Sequence, residues 1–210
     1  IIWLAGGNLY LGSCDAQTPE TLLTIPSGFS IDFDLEFDFV SNKYMVPGRH
    51  NGHTAVFTLD PDGSNPTIIW ESGTYTMTAD GVDIHDGKIY ICSVFGKIIR
   101  GDLSANDITN VTELYNTAGD CDGVVADPVT GKLYWVKYNS MQVMEGSIDG
   151  TATPSVLYDA STGLAGSPSS MDINLDTDPH TLYWSPNDRA QSGDVDGGPL
   201  RTVYAGLGNP

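Results

Sequence analysis

The chain has 210 residues, 40% of them hydrophobic, and sets 27 acidic against nine basic residues for a formal net charge of −18. Such a field repels nucleic-acid phosphates and anionic membranes, so no nucleic-acid partner is expected. No apolar run approaches the roughly 20 residues of a membrane helix, which argues against membrane insertion. The acidity otherwise reads as solubility in a salty or calcium-rich medium.

From the N-terminus, Ile1-Ile2-Trp3-Leu4 reads as a second strand, Asn8 to Ser13 as a third and Thr21 to Ile25 as a fourth. The chain thus begins inside a repeat unit that lacks its innermost strand. It has no initial Met and no signal peptide, as expected of a processed product or part of something longer. Apolar and acidic residues alternate over 30–38, the period of a strand. The next strands follow at Lys43-Tyr44-Met45 and, beyond an Asp60-Pro61-Asp62-Gly63 turn, at Thr67 to Trp70.

The third unit opens with Asp80-Gly81-Val82-Asp83-Ile84-His85, turns at Asp86-Gly87 and returns as Lys88-Ile89-Tyr90-Ile91. Its outer strands are 97–103 and 111–115. The fourth opens with Asp122-Gly123, turns through Pro128 to Gly131, returns as Lys132-Leu133-Tyr134-Trp135, and closes with strands 142–148 and 154–158 around Asp149-Gly150. Asp-Gly is among the strongest short hairpin signals. The fifth runs from Ser170 through Thr181-Leu182-Tyr183-Trp184 to 190–195 and 200–204.

Tyr44, Tyr90, Tyr134 and Tyr183 step by 46, 44 and 49 residues. A period in the forties built of β-forming residues predicts an all-β fold, a β-propeller of four-stranded antiparallel blades. About five blades are visible in a single domain, 1–210: an incomplete first blade over 1–28, then 29–74, 75–117, 118–160 and 161–210. A blade cannot bury both faces alone, which makes the whole one domain. The 24 glycines and 12 prolines fit many tight turns and few long helices.

Three cysteines are too few for a disulfide framework and show no metal-binding spacing. Cys92 follows the strand ending at Ile91, and Cys121 stands before the next blade's first strand. Cys92–Cys121 is therefore the preferred pair, with Cys14 left over; the alternative is three separate thiols. Asn110-Val111-Thr112 is the acceptable N-glycosylation sequon, since proline blocks Asn65-Pro66-Thr67. That sequon agrees with an extracellular or cell-surface location.

The pattern resembles the YWTD-repeat propellers of the low-density lipoprotein receptor family. Asp127 to Tyr134 and Asp176 to Tyr183 each span seven positions, as that family's Asp and Tyr do. Asp83 to Tyr90 spans seven as well, although His85 fits the Asp slot if the hairpin is two residues shorter. Tyr-Trp is intact at Tyr134-Trp135 and Tyr183-Trp184, but Val136-Lys137 and Ser185-Pro186 replace the family's Thr-Asp. The resemblance covers about residues 29–204; that family's ring has six blades, usually closed by pairing strands from its two ends, so about five here imply a missing sixth, a five-bladed variant, or closure by a segment outside this chain.

The repeated Tyr and Trp residues suit packing between blades better than a sugar-stacking platform. Asp80 and Asp122 head matching inner strands and are the candidate ligands for a metal at the channel mouth; calcium is the cofactor that carboxylates suit. Turn and strand capping is the plainer reading of both. His50 and His53 lack a further ligand at zinc spacing, and Asp60–Asn65 departs from a calcium loop. No nucleophile elbow, zinc-protease helix, phosphate loop or dinucleotide fingerprint is present. The expectation is an extracellular, non-enzymatic module that binds a protein or glycan, or assembles through its open blade edge. The alternative is a calcium-dependent hydrolase or lactonase with a metal on the propeller axis.

Overall fold

The computed structural model describes residues 2–5, 8–12, 21–31, 34–75, 78–117, 119–186 and 189–205. Cys14 lies outside them. The chain folds as a β-propeller whose antiparallel sheets follow one another in chain order.

The first sheet has three strands, β1 (Ile2–Ala5), β2 (Asn8–Leu11) and β3 (Thr21–Leu22). The second joins β4 (Phe29–Ile31), β6 (Lys43–His50), β7 (His53–Leu59) and β8 (Thr67–Glu71), with β5 (Glu36–Asp38) also paired to β6. The third runs β9 (Ala79–His85), β10 (Lys88–Ser93), β11 (Lys97–Ser104) and β12 (Asp107–Asn116). The fourth comprises β13 (Gly123–Asp127), β14 (Lys132–Lys137), β15 (Gln142–Ser147) and β16 (Ser155–Tyr158). The fifth comprises β17 (Pro168–Asn174), β18 (Thr181–Pro186), β19 (Arg189–Asp194) and β20 (Arg201–Ala205).

Local sequence sets these hairpins. Asn51-Gly52 and Asp86-Gly87 take positive φ at both residues, 49° and 90° in one and 48° and 69° in the other. That conformation matches strand twist in a two-residue hairpin and is cheap for Asn, Asp and Gly. His50 and His53 are therefore opposed strand residues flanking the Asn51-Gly52 turn.

The core lies in the seams between blades, one apolar cluster to each. Ile2 and Leu9 meet Phe29, Val46 and Phe57; Met45 and Val56 meet Val82, Ile89 and Ile91. Tyr90, Ile98 and Tyr115 meet Val124, Leu133 and Trp135; Tyr134, Val136 and Tyr158 meet Met171, Leu182 and Trp184. Alternation assigns the faces: on β14, Leu133 and Trp135 look back at the third blade while Tyr134 and Val136 look forward to the fifth. Tyr90 and Tyr134 are buried, whereas Tyr183 is 36% exposed because no blade among the described residues packs on that side.

Glycine sets how closely the inner strands approach. A Cβ on Gly81 would lie 2.8 Å from Gly123 Cα, and one on Gly123 would lie 2.8 Å from Met171 N. The repeated Asp-Gly thus marks backbone-to-backbone contact beside the channel.

The alternating segment 30–38 is not one strand. Its ladder to β6 ends at Ile31↔Gly48 and resumes at Glu36↔Met45, so four residues span the two positions of Val46 and Pro47. Pro47 has no N–H to give a ladder there. The excess chain carries Asp34 toward the third blade, where its Oδ2 accepts from Val82 N at 3.0 Å.

Candidate functional site

Two cavities are built from the blades' inner strands and loops. The first, of about 390 Å³, lies among β5, β9, β17 and β18 and gathers Asp34, Glu36, Asp83 and Asp172 with Tyr183 and Trp184. Asp34 also accepts from Leu35 N at 2.9 Å. Asp83 Oδ2 accepts from Ala126 N at 2.6 Å, so each of these two carboxylates ties its own blade to the next blade's inner strand. Burial pushes Asp34 and Glu36 up to about 7 and Asp83 to about 6. Donated backbone hydrogen bonds oppose the rise, and the negative neighbours reinforce it. The result is a cluster that holds protons near neutrality.

The second cavity, of about 410 Å³, opens at one mouth of the propeller and is lined by Val94, Asp120, Asp122, Tyr138, Asn139 and Ser169. Asp120 is buried and accepts from Asn139 N at 2.6 Å, which fixes the loop after β14. Asp122 is raised to about 6, first by burial and then by the charge of Asp120. Phe95 and Met141, on the loops that also carry Val94 and Tyr138, are exposed together with Tyr138. Exposed apolar side chains thus stand on the loops that line a cavity holding two carboxylates.

Asp80 and Asp122 have different surroundings: Asp122 lines the mouth cavity, whereas Asp80 is fully buried at the start of β9. Among the described residues no three His, Cys, Asp or Glu side chains converge as metal ligands. His50 Nδ1 instead pairs with Glu71 Oε2 at 2.6 Å.

Asp127 is fully buried and accepts from Val129 N and Thr130 N, each at 3.0 Å, and pairs with His180 of the fifth blade at 2.7 Å. Burial alone would raise its pKa, but the hydrogen bonds from Thr130 and His180 outweigh this and lower it. Asp176 does not occupy the equivalent position. Asn174 is the residue opposite Thr181, and its Oδ1 accepts from Asp176 N at 2.9 Å within a longer turn. In the third blade His85 faces Lys88 and takes that slot, leaving Asp83 opposite Tyr90 on the channel.

Cys92 and Cys121 are joined as a disulfide between the third and fourth blades, with Cα atoms 5.6 Å apart. Asn110 is exposed at a positive φ of 50° where β12 slips register against β11, and its amide donates to Asp102 Oδ2 at 2.8 Å. Among the described residues no helix is long and apolar enough to cross a membrane.

The fold defines a propeller of four-stranded antiparallel blades, and solved structures share it. A chain of a nidogen/laminin complex aligns with TM-score 0.78 and 18% identity over 100% of this chain and 79% of that one. A putative TolB from Agrobacterium tumefaciens aligns with TM-score 0.69 and 17% identity over 99% and 78%. A gluconolactonase from Xanthomonas campestris aligns with TM-score 0.63 and 14% identity over 86% and 62%. At these identities the likeness is one of fold. No protein-family model and no curated protein matches the chain.

The channel carboxylates escape the sequence reading because their grouping depends on the detour at Asp34 and on blade order. A trace of them is legible, since acidic residues stand opposite Tyr90 and Tyr183 on the inner strands.

Proposed function

We propose that this chain is an extracellular, non-enzymatic binding module whose partner is a protein docked on the propeller mouth. The carrying observation is the exposure of Phe95, Tyr138 and Met141 on the two loops that supply Val94, Tyr138 and Asn139 to the cavity holding Asp120 and Asp122. Exposed aromatic and Met side chains beside a fixed acidic pocket suit a partner presenting apolar and cationic groups, and the net charge of −18 would speed its approach. The cross-blade disulfide and the exposed Asn110 sequon support an extracellular setting. The likeness to a chain of a nidogen/laminin complex fits a propeller that meets a protein.

Surface plasmon resonance of the immobilised chain against a panel of secreted proteins, beginning with laminin, tests this reading. Binding should weaken with salt and fall at least tenfold in a Phe95→Ser, Tyr138→Ser double variant. Binding confined to a glycan array, or hydrolysis of a lactone with added calcium, would overturn it.

A further inference from the structure

The inner strands run parallel: Gly81 lies against Gly123 while Asp83 accepts from Ala126 N, and Gly123 lies against Met171 while Asp127 pairs with His180. The turns that end them therefore share one face of the propeller. The outer hairpin connections join that face, because Leu103 N donates to Gly87 O, Ile148 N to Gly131 O and Val195 N to His180 O, at 2.8, 2.9 and 3.0 Å. Among the described residues these connections expose Asp62, Asp86, Asp149, Asp176, Asp178 and Asp196 and hold neither Lys nor Arg. On the opposite face, where the mouth cavity opens, Asp120 is buried and Asp122 and Asp159 are half-buried. Hydrogen bonds from Ser64 and Thr151 hold Asp62 and Asp149 below the ordinary carboxylate range, so their charge persists in mild acid.

The same face holds the most solvated large apolar side chains described. Phe39 and Val40, at the tip of the β5–β6 turn, are 85% and 94% exposed. Asp38, buried beneath them, accepts from Val40 N at 3.0 Å and Ser41 N at 3.1 Å and so fixes the tip outward. Phe39 meets the ring of Phe37 edge-on at 5.0 Å, and Phe37 meets Tyr44 at 4.9 Å, so the tip continues into half-buried aromatics. Lys43 at the base of the turn pairs with Asp60 at 2.6 Å, which sets the connection bearing Asp62 next to the turn. In the fourth blade Asp127 caps the matching turn, and Val129 there is 74% exposed.

We propose that this face is a second docking surface, for a basic protein segment that lays an apolar side chain on Phe39 and Val40 and Lys or Arg among the surrounding aspartates. Charge complementarity identifies the occupant: six exposed carboxylates with no basic residue between them attract a cation, and the apolar tip supplies the anchor. Nucleic acid and anionic membrane are repelled by the same field. A second copy of this chain does not fit, since it carries the same net charge of −18. Five of its nine basic residues, Lys43, Lys88, Lys97, Lys132 and Arg201, already pair with its own carboxylates. The surface lies opposite the mouth cavity, so either proposal can fail alone.

Fluorescence anisotropy with two labelled probe peptides of equal length and charge, one alternating Lys with Leu and one alternating Lys with Ser, tests the proposal. The Lys-Leu peptide should bind about tenfold more tightly than the Lys-Ser peptide, and Phe39→Ser with Val40→Ser should remove that difference. Asp62→Asn with Asp86→Asn should weaken both peptides and lessen the salt dependence of their binding. Phe95→Ser with Tyr138→Ser, on the mouth loops, should leave both affinities as they are. Equal affinity for the two peptides in the parent chain would overturn the proposal, because net charge alone would then account for binding. So would a preference for Lys-Leu that survives Phe39→Ser with Val40→Ser or is lost in the mouth variant, or affinities that Asp62→Asn with Asp86→Asn leaves unchanged.

Discussion

Tyr115 reaches across the seam between the third and fourth blades through the space left by Gly146, where a Cβ would lie 2.6 Å from the tyrosine oxygen. Gly146→Ala should therefore destabilise the protein by about 1–3 kcal/mol through overpacking. Tyr115→Phe, which loses the hydroxyl's hydrogen bonds to Ser147 O and Oγ, should cost about 1 kcal/mol. Urea denaturation of the two variants measures both, and Tyr115→Phe combined with Gly146→Ala should cost less than their sum.

Acidification should stabilise this protein over a range where many proteins gain nothing. Asp34, Glu36 and Asp83 sit at about 7, 7 and 6 when folded, above the roughly 4 of unfolded carboxylates. Between pH 4 and 7 the folded state thus binds more protons, so unfolding free energy rises as pH falls from 8 toward 5. Below that range, carboxylates held low by hydrogen bonds, such as Asp149 at about 2, reverse the trend. Glu36→Gln should raise Tm at pH 8 and flatten the rise toward pH 5. A pH profile of Tm compares the two chains.

Reducing the Cys92–Cys121 bond opens a loop of 29 residues. Loop-closure entropy gives such a cross-link about 3–4 kcal/mol. Reductant, or Cys92→Ser with Cys121→Ser, should lower stability by that order, read as a drop in the denaturant midpoint at nearly constant slope.

Asp127 caps the β13–β14 turn from a fully buried position and holds His180 of the next blade. Asp127→Ala should cost about 2–3 kcal/mol by removing the acceptor of the Val129 and Thr130 N–H groups and the partner of His180 together. Asp127→Asn, which keeps one acceptor oxygen, should cost less. Asp176→Ala, lying in a turn, should shift stability by no more than about 0.5 kcal/mol.

Blade architecture was legible because the Tyr-bearing second strand recurs at a nearly constant step and Asp-Gly or Asn-Gly fixes the tight hairpins. The Asp register was not, because turn length varies between Asp86-Gly87 and the longer connection after Asn174, and fixed spacing cannot follow it. Asp80-Gly81 and Asp122-Gly123 were recognised as matching. Their meaning lay in the glycines, whose missing Cβ atoms admit a neighbouring backbone that sequence alone does not reveal. The channel carboxylates needed the break opposite Pro47, which turns an apparent single strand into two and reorients Asp34.

Because every seam among the described residues holds its own apolar cluster, the blades are joined in series. Opening should advance one seam at a time. The cross-link between the third and fourth blades would stop that advance from either side. A protease acting on gently heated protein should accordingly leave a resistant two-blade kernel, held together until its sulfurs are reduced.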